Sequence, residues 1–271
     1  MNEYKMIALD MDGTLLNSSK EISKNTLRAI DMAFDAGKEV IFCTGRCLAE
    51  LNYYIEQIPR LRYIVGLSGA FVYDIKEDMN IFTNKIPERD VKKILEASKK
   101  VDAMVHLLER ESIVQKSNME NMKHFQMDRY IPLFHNVSTV VEDIYRFYSD
   151  EKPTVMKLNM YHCSAKEREK TRRALADEKL ILVNAEETSL EISAEGTTKA
   201  TGLIKLCEHL GISLEDVIAV GDADNDLDVL SKAGLSIAMG NANDNVKKIC
   251  DAVVSDCDND GCVEAIEKYL I

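Results

Sequence analysis

Apolar residues near the two ends of the chain come in short, unbroken runs rather than in alternation. The first run ends directly at two aspartates and a glycine, residue types that are rare inside strands. A strand without a polar face is covered on both sides, as the strands of parallel α/β sheets are. Amphipathic segments with capping signals separate the runs, so the pattern predicts a doubly wound parallel sheet. The predicted core strands are Lys5–Leu9, Glu39–Cys43, Tyr63–Leu67, Asp216–Val220 and Leu235–Met239, and the first helix is predicted between Ser23 and Gly37.

The middle of the chain follows a different pattern, because its predicted strands mix polar and apolar residues. Alternation indicates a sheet that is exposed on one face, and therefore an α+β domain inserted into the parallel one. We predict a discontinuous, Rossmann-like α/β core from residues 1–82 and 189–271 and an α+β cap from residues 83–188. An inserted cap is suited to closing a site and excluding water. The predicted cap elements are strands Met104–Leu108, Val155–Tyr161 and Leu180–Val183 and helices Glu88–Lys100 and Ala165–Glu178.

Two carboxylate clusters follow predicted core strands. Asp10 and Asp12 come directly after the first strand, and Gly221–Asp226 follows the fourth. Ligands of parallel sheets bind outside the carboxyl ends of the strands, so both clusters are expected to face one site. One carboxylate can attack phosphorus to give an acyl phosphate, and a second can donate and accept the proton. Such carboxylates also suit a hard cation, with Mg²⁺ preferred, while the alternative interpretation is a pair of acidic surface turns.

A lysine and a threonine complete the candidate site. Thr198 is a suitable N-cap for the amphipathic stretch that follows, which places Lys199 on the first helical turn. A cation there opposes the helix dipole, and that local conflict favours a role in binding a phosphoryl oxygen over a merely solvated side chain. Thr44 and Gly45 offer a hydroxyl and an open backbone N–H at a strand-to-helix turn, which is a weaker signal for an anion contact.

Taken together, these motifs resemble the haloacid dehalogenase superfamily, and within it the Cof-type sugar-phosphatase-like hydrolases. The motifs occur in the family's order, and the similarity covers essentially the whole chain. They are D-M-D-G-T at 10–14, T-G-R at 44–46, lysine at 199 and G-D-A-D-N-D at 221–226. The chain departs from its relatives at Ser68, where asparagine is common, at Ala200, where glycine is common, and at Val229, where methionine is common.

The resemblance implies a role for each site residue and a Mg²⁺-dependent phosphatase acting on small phosphorylated metabolites. Asp10 would be the nucleophile and Asp12 the general acid/base. Mg²⁺ would be held by Asp10, Asp222 and the backbone carbonyl of Asp12, with Asp226 supporting. The residues implied to bind phosphate are Thr44, Gly45, Lys199 and Asn225. The cap would select the substrate, which is expected among sugar phosphates, nucleotides and phosphorylated cofactors.

Composition narrows the classes of partner. The 271 residues carry a formal net charge of −12, which argues against nucleic-acid binding through bulk electrostatics. No apolar run approaches membrane-spanning length, and the N-terminus lacks a signal-peptide pattern. The seven cysteines include no C-x-x-C pair, so reduced thiols in a cytoplasmic protein are expected. The expected partner is a small phosphate ester, with neither nucleic acid nor membrane, and the protein is expected to be a monomer or a homodimer.

Two other functions remain open on sequence alone. A phosphomutase shares the aspartyl phosphate but returns the phosphoryl group to a sugar, and the cap would decide between the two. The other alternative is a ligand-binding regulator that has lost activity. It is a minor alternative, because the chain has the carboxylate Asp12, and a protein that only binds a ligand does not need an acid/base group.

Two further segments carry weaker signals. Residues 256–267 match the calcium-loop pattern D-x-D-x-D-G-x5-E, but a short strand rather than a helix is predicted before them, which favours a turn that leads into the last helix. In the cap, the methionine-rich run Asn118–His124 is a candidate pocket lining, although core methionines on a short helix are the more common case. Lys157 and Asn159 alternate on a predicted cap strand and are weaker candidates for the same face.

Overall fold

A computed structural model describes residues 4–185 and 187–271, so residues 1–3 and residue 186, within the predicted core and cap respectively, lie outside the described residues. The strands are β1 (Met6–Leu9), β2 (Glu39–Cys43), β3 (Tyr63–Gly66), β4 (Phe71–Asp74), β5 (Met79–Thr83), β6 (Ala103–Leu108), β7 (Ser112–Gln115), β8 (Ser138–Val141), β9 (Lys157–His162), β10 (Leu180–Asn184), β11 (Ser189–Ala194), β12 (Val217–Gly221), β13 (Leu235–Ala238) and β14 (Ala252–Val253). The α-helices are α1 (Lys24–Asp35), α2 (Asn52–Ile55), α3 (Glu88–Ser98), α4 (Lys116–Glu120), α5 (Ile131–Val137), α6 (Ile144–Glu151), α7 (Ala165–Ala174), α8 (Lys199–Leu210), α9 (Leu227–Leu230), α10 (Asp244–Ile249) and α11 (Gly261–Ala265), and a π-helical turn follows at Ile266–Leu270.

The contacts divide the chain into two compact units. The core unit contains Met1–Gly45, Tyr53–Thr83 and Thr198–Ile271, and the inserted unit contains Arg46–Asn52 and Asn84–Thr197. The α/β fold with an inserted α+β domain is therefore confirmed. Along the described residues, no helix combines the length and the apolar character that crossing a bilayer requires.

The core unit is built on an eight-stranded sheet in the order β14-β13-β12-β1-β2-β3-β4-β5. The strands from β14 to β3 are parallel, and β4 and β5 extend the sheet in antiparallel orientation. Strands β1, β3 and β4 are buried along their full lengths, which is why they lack a polar face. The predicted strands agree with the structure to within one or two residues, whereas the antiparallel extension by β4 and β5 was not predicted.

The capping signals place the two helices that matter most for the site. Ser23 caps α1 by accepting a hydrogen bond from the backbone N–H of Thr26, and Gly37 follows its end with φ at +73°. Thr198 caps α8 in the same way through the N–H of Thr201. Both caps were predicted from the sequence.

The inserted unit contains a six-stranded sheet in the order β10-β11-β9-β6-β7-β8, antiparallel except for the pairing of β7 with β8. One face of this sheet packs against apolar residues of α3 and α6 and the end of α7. The predicted core boundary at residue 189 is wrong, because β11 pairs with β9 and β10 in this sheet. The inserted unit consequently continues to Thr197, and it also includes Arg46–Asn52, which no sequence pattern indicated.

The other face of this sheet carries a cluster rich in methionine. Met119 and Met122, from the run proposed as a pocket lining, are buried there beside Phe125, Phe134 and Tyr161. Hence the methionines of this run are core residues of the inserted unit.

Candidate active site

Asp10 and Asp226 lie at the carboxyl ends of neighbouring parallel strands. Asp10 follows β1, and its backbone N–H donates to the carbonyl oxygen of Val220 in β12 at 3.1 Å. Asp226 closes the short 3₁₀ turn after β12. Parallel pairing of β1 with β12 therefore brings together two carboxylates that are more than two hundred positions apart in the sequence.

Lys199 lies between these two carboxylates. Its Nζ is 2.5 Å from Oδ1 of Asp10 and 2.6 Å from Oδ1 of Asp226, and its side chain is fully buried. Burial alone would lower the pKa of Lys199, but the two carboxylates outweigh it and raise that pKa. The lysine is therefore a permanent buried cation, which explains its unfavourable position on the first turn of α8.

Close backbone packing fixes the start of α8. A Cβ on Gly69 would lie 1.8 Å from the carbonyl oxygen of Thr198, and one on Gly202 would lie 2.9 Å from the Cα of Gly69. Only glycines allow the turn after β3 to approach the helix this closely. The position of Lys199 therefore depends on two glycines that carry no functional group.

Asp222 is the third carboxylate of the cluster. One oxygen from each of Asp10, Asp222 and Asp226 lies within 4.8 Å of the others. The hydroxyl of Thr14 donates to Oδ1 of Asp222 at 3.1 Å, and the backbone of Gly13 approaches the same carboxylate, with φ at +88° and room only for a hydrogen in place of a Cβ. The D-M-D-G-T motif thus supplies a close contact and a hydrogen bond to Asp222 in addition to its own carboxylates.

The cluster holds more negative charge than Lys199 neutralises. Burial raises the pKa of Asp10 to about 8, against the influence of Lys199 and with help from Asp226 and Asp222. Burial also raises the pKa of Asp222 to about 6, and repulsion from Asp226 acts in the same direction. A second cation at this position would relieve the repulsion among these carboxylates.

Both oxygens of Asp226 have protein donors, and one of these donors is the ammonium of Lys199. Oδ1 accepts from Lys199, and Oδ2 accepts from the backbone N–H groups of Asp222 and Ala223 at 3.1 and 3.2 Å. These contacts hold Lys199 and the Asp222 backbone in place, and the supporting role of Asp226 at a metal ion stays a prediction.

The remaining predicted residues differ in how deeply they are buried. The side chain of Asp12 is 43% exposed and forms an ion pair with Lys20 at 2.8 Å. Thr44 is buried after β2, where its N–H donates to Val65, and Gly45 beside it is half-buried. Asn225 directly precedes Asp226 in the turn before α9, but it is exposed to solvent.

Sequence reasoning missed three residues of this region. Thr14 was quoted only as part of its motif, although a hydroxyl two residues after Asp12 was a visible signal. Asn241 donates to the carbonyl oxygen of Gly13 at 2.8 Å, and it was given no role from the sequence. Lys20, which pairs with Asp12, carries no sequence signal because the pairing depends on the turn between them.

The segment that matches a calcium loop is a hydrogen-bonded turn after β14. Its carboxylates accept hydrogen bonds from different neighbours, Asp258 from the N–H of Ser18 and Asp260 from the side chains of Ser23 and Asn25. The strand predicted before it is present at Ala252–Val253. These contacts favour the turn interpretation.

Comparison with known proteins gives consistent results for fold and family. A family model of haloacid dehalogenase-like hydrolases matches residues 7–266. The 5-amino-6-(5-phospho-D-ribitylamino)uracil phosphatase YitU of Bacillus subtilis is 30% identical over 273 residues, which cover 98% of this chain and 97% of that protein. The pyridoxal phosphate phosphatase YbhA of Escherichia coli is 25% identical over 98% of this chain and 99% of its own length.

A solved structure supports the same assignment. A haloacid dehalogenase-like hydrolase from Bacteroides thetaiotaomicron superposes with a TM-score of 0.87 at 26% identity, covering 98% of this chain and 99% of that one. The resemblance that the motifs indicated is thereby confirmed over nearly the whole chain. The chain therefore belongs to the haloacid dehalogenase-like hydrolases, in their Cof-type branch, and is a phosphoric monoester hydrolase.

Proposed function

We propose that this enzyme is a Mg²⁺-dependent phosphatase that hydrolyses small phosphorylated metabolites through a phosphoryl group carried on Asp10. The observation that carries the proposal is the buried cluster of Asp10, Asp222 and Asp226 around the ammonium of Lys199. A buried ammonium bonded to a carboxylate nucleophile is placed where it can also contact an oxygen of a phosphoryl group that approaches Asp10.

The residues present fit a magnesium ion. Mg²⁺ prefers oxygen ligands and is typically held by one or two carboxylates together with substrate phosphate. Asp10 and Asp222 supply such carboxylates, and one oxygen of each lies within 4.8 Å of the other. We propose that these two side chains and the backbone carbonyl of Asp12 hold the ion. When bound, the ion would neutralise phosphoryl charge and so allow an anionic carboxylate to approach phosphorus.

The chain's own residues then account for two half-reactions. A carboxylate oxygen of Asp10 forms a bond to phosphorus while the ester P–O bond breaks, and the leaving alkoxide takes a proton from Asp12. Asp12 next removes a proton from water, which attacks the acyl phosphate and releases inorganic phosphate and the Asp10 carboxylate. The exposed position of Asp12 suits a group that must exchange protons with both alcohol and water.

The relatives point to the class of substrate. YitU is named for a phosphorylated ribitylaminouracil and YbhA for pyridoxal phosphate, both small phosphate monoesters on otherwise different molecules. We propose that the substrate here is likewise a phosphorylated cofactor, cofactor precursor, nucleotide or sugar. The phosphatase names of these relatives favour hydrolysis over phosphoryl transfer to a sugar.

Phosphate release measured on a panel of such esters, with Mg²⁺ and with EDTA, tests the proposal. We expect Asp10→Asn to lower kcat by several orders of magnitude, and Asp12→Ala to accumulate phosphorylated Asp10 that mass spectrometry detects after acid quenching. Asp35→Asn is the matched control, because this exposed carboxylate pairs, among the described residues, only with a surface arginine. Activity that survives EDTA or Asp10→Asn would refute the mechanism, and sugar-phosphate isomerisation without phosphate release would identify a mutase.

We further propose that the inserted unit selects the substrate through a polar patch on its sheet. Lys157, Asn159 and Tyr161 alternate along β9 with apolar core residues, so they share one face. Lys157 is buried in an ion pair with Glu191 at 2.5 Å. Oδ1 of Asn159 is also buried and has no hydrogen-bond partner among the described residues. A buried acceptor left unsatisfied costs stability, which supports a role in ligand contact.

Kinetics with the best substrate from the panel test this second proposal. Asn159→Leu and Lys157→Ala are expected to raise KM, because each removes a polar contact from the selecting face. Lys92→Ala is the control, since Lys92 is exposed on α3 and pairs only with Glu88. An unchanged KM in both test variants would rule out this face as the specificity determinant.

We also propose that the enzyme acts in the cytoplasm. All seven cysteines are free thiols in the structure, three of them half-buried and therefore accessible to oxidation. Such thiols are typical of a reducing compartment.

A further inference from the structure

The inserted unit has a second cluster of metal-ligating side chains, of a different chemical type from the carboxylates around Asp10. Asp102, His124 and Cys163 each present one ligand atom, and these three atoms lie within 4.8 Å of one another. Nε2 of His124 donates to Oδ2 of Asp102 at 2.7 Å. The set combines oxygen, nitrogen and sulfur donors, whereas the cluster around Asp10 is made of oxygen donors alone.

The backbone fixes two members of this cluster next to each other. Asp102 directly precedes β6 and Cys163 directly follows β9, and these strands pair antiparallel with Ala103 opposite His162. The N–H of Cys163 donates to the carbonyl oxygen of Asp102 at 3.1 Å, which continues the ladder past the last strand residues. The two side chains therefore leave the same end of a rigid strand pair.

The third member is anchored independently. His124 lies in the 3₁₀ turn Met122–Phe125, and its neighbours Met122 and Phe125 are buried in the methionine-rich cluster beneath. The imidazole consequently points outward, and its side chain is 54% exposed, as is that of Asp102. Gln126, directly after the turn, donates from its side chain to the carbonyl oxygen of Cys163 at 3.4 Å. All three ligand side chains can therefore rotate while their backbones stay in place.

We infer that Asp102, His124 and Cys163 form a binding site for a borderline transition-metal ion of the Zn²⁺ type, with one coordination position open to solvent. Thiolate and imidazole ligands select such ions over Mg²⁺ and Ca²⁺, which take oxygen ligands. Tetrahedral coordination at about 2.1 Å places an oxygen and a nitrogen ligand roughly 3.4 Å apart. Binding therefore requires the present contact between His124 and Asp102 to open by less than 1 Å, which rotation of exposed side chains provides.

Charge near the site also favours a cation. The carboxylate of Glu167, which pairs with Lys170 at 2.5 Å, lies close enough to Asp102 for the two charges to interact and adds a second carboxylate near the cluster. The Cys163 thiol must lose its proton to become a ligand, so metal affinity is expected to rise with pH. A bound ion would tie the turn around His124 to the ends of β6 and β9 and would stabilise the inserted unit.

The full-length protein, freed of metal with a chelator and then saturated with Mg²⁺, tests the site. Mg²⁺ occupies the oxygen-donor cluster, so Zn²⁺ titrated by calorimetry reports on the second cluster. We expect one equivalent of Zn²⁺ to bind, a rise in melting temperature on binding, and at least a tenfold loss of affinity in Cys163→Ser and in His124→Ala. His135→Ala, at an exposed histidine in α5, and Cys250→Ser, at a half-buried cysteine of the core unit, are the matched controls.

Cobalt substitution gives a readout that does not depend on stability. Co²⁺ added to the Mg²⁺-saturated protein is expected to show a thiolate-to-cobalt charge-transfer band, and that band should be absent in Cys163→Ser while persisting in Cys250→Ser. Zn²⁺ affinity that is the same in wild type, Cys163→Ser and His124→Ala would overturn the inference. So would a Co²⁺ spectrum without a thiolate band in the wild-type protein.

Discussion

Gly13 offers a sharp test of the active-site geometry, because a single methyl group there collides with a carboxylate. An alanine Cβ at this position would lie 2.5 Å from Oδ2 of Asp222 and 2.9 Å from its Cγ. Ordinary van der Waals contact begins at about 3.4 Å, so Asp222 or the D-M-D-G-T turn must shift by about 0.9 Å. That shift would break or lengthen the 3.1 Å hydrogen bond from Thr14 to Asp222.

We expect Gly13→Ala to reduce kcat/KM about 100-fold, since misplacing a catalytic group by about 1 Å can cost that much. A weaker apparent affinity for Mg²⁺ should accompany the loss, because Asp222 is a proposed ligand. The variant also places a Cβ at φ +88°, which costs about 1–2 kcal/mol of stability by itself. A control must therefore separate backbone strain from the collision with Asp222.

Gly37→Ala provides that control. Gly37 also has a positive φ, +73°, but nothing lies within 4 Å of a Cβ built there. Urea denaturation should show similar losses of stability in the two variants, while phosphate-release kinetics should show lost activity only in Gly13→Ala. If Gly13→Ala keeps a third or more of wild-type activity, or Gly37→Ala loses as much, then the close approach of Gly13 to Asp222 does not set the geometry of the site.

Three further outcomes follow from the structure. Burial raises the pKa of Asp74, but hydrogen bonds from Arg62 outweigh burial and hold that pKa below its usual value. Asp74→Asn should therefore lower the free energy of unfolding by about 1.5–3 kcal/mol near pH 7 in urea titrations. This difference should vanish as the pH falls through the lowered pKa. Burial, reinforced by the charge of Lys157, lowers the pKa of His106 to about 3. The stability that depends on a neutral His106 ring is therefore fully present above about pH 6.5 and is lost as the pH falls towards 3. NMR resonances of this ring that move between pH 8 and 5 would contradict the prediction. Ser68 has φ at +58°, so Ser68→Asn should raise the free energy of unfolding by up to about 1 kcal/mol, and a loss in the same urea assay would be a contrary result.

Most of the core strands were predictable because the apolar run ends at a residue that a strand disfavours. Leu9 is followed by Asp10, and Val220 by Gly221 and Asp222, so sequence pattern and strand end coincide. The misplacement of Ser189–Ala194 was avoidable, since Leu190 and Ile192 alternate with Glu191 in the way typical of a half-polar sheet. The assignment of Arg46–Asn52 to the inserted unit was not predictable, because it rests on contacts such as that of Ala49 with Arg110, sixty positions away.

For the candidate site, sequence indicated which residues carry chemistry and the structure added what holds them. The positions of Asp10, Lys199 and Asp226 along the sequence do not give the distances between their side chains. The parallel pairing of β1 with β12 and the cap of α8 bring the three side chains within hydrogen-bond distance. The roles of Gly13 and Gly69 were hidden for a physical reason. A glycine contributes space rather than a functional group, and the need for that space appears only when the neighbouring backbone is known.

Several local departures from stability rules lie in the turns that build this site. Lys199 opposes the dipole of its own helix, and it lies fully buried between carboxylates. Leu67 and Ser68 both adopt positive φ, which is unfavourable for residues with side chains, in the turn that Gly69 packs against the start of α8. If fold stability alone determined Leu67, Ser68 and Lys199, residues that cause no strain would be expected at these three positions. Positive φ also occurs at Asp78, Gln126 and Lys152, so strain alone does not mark a site. In the turn after β3 it adjoins one buried ammonium and three carboxylates, a combination expected where the geometry serves catalysis.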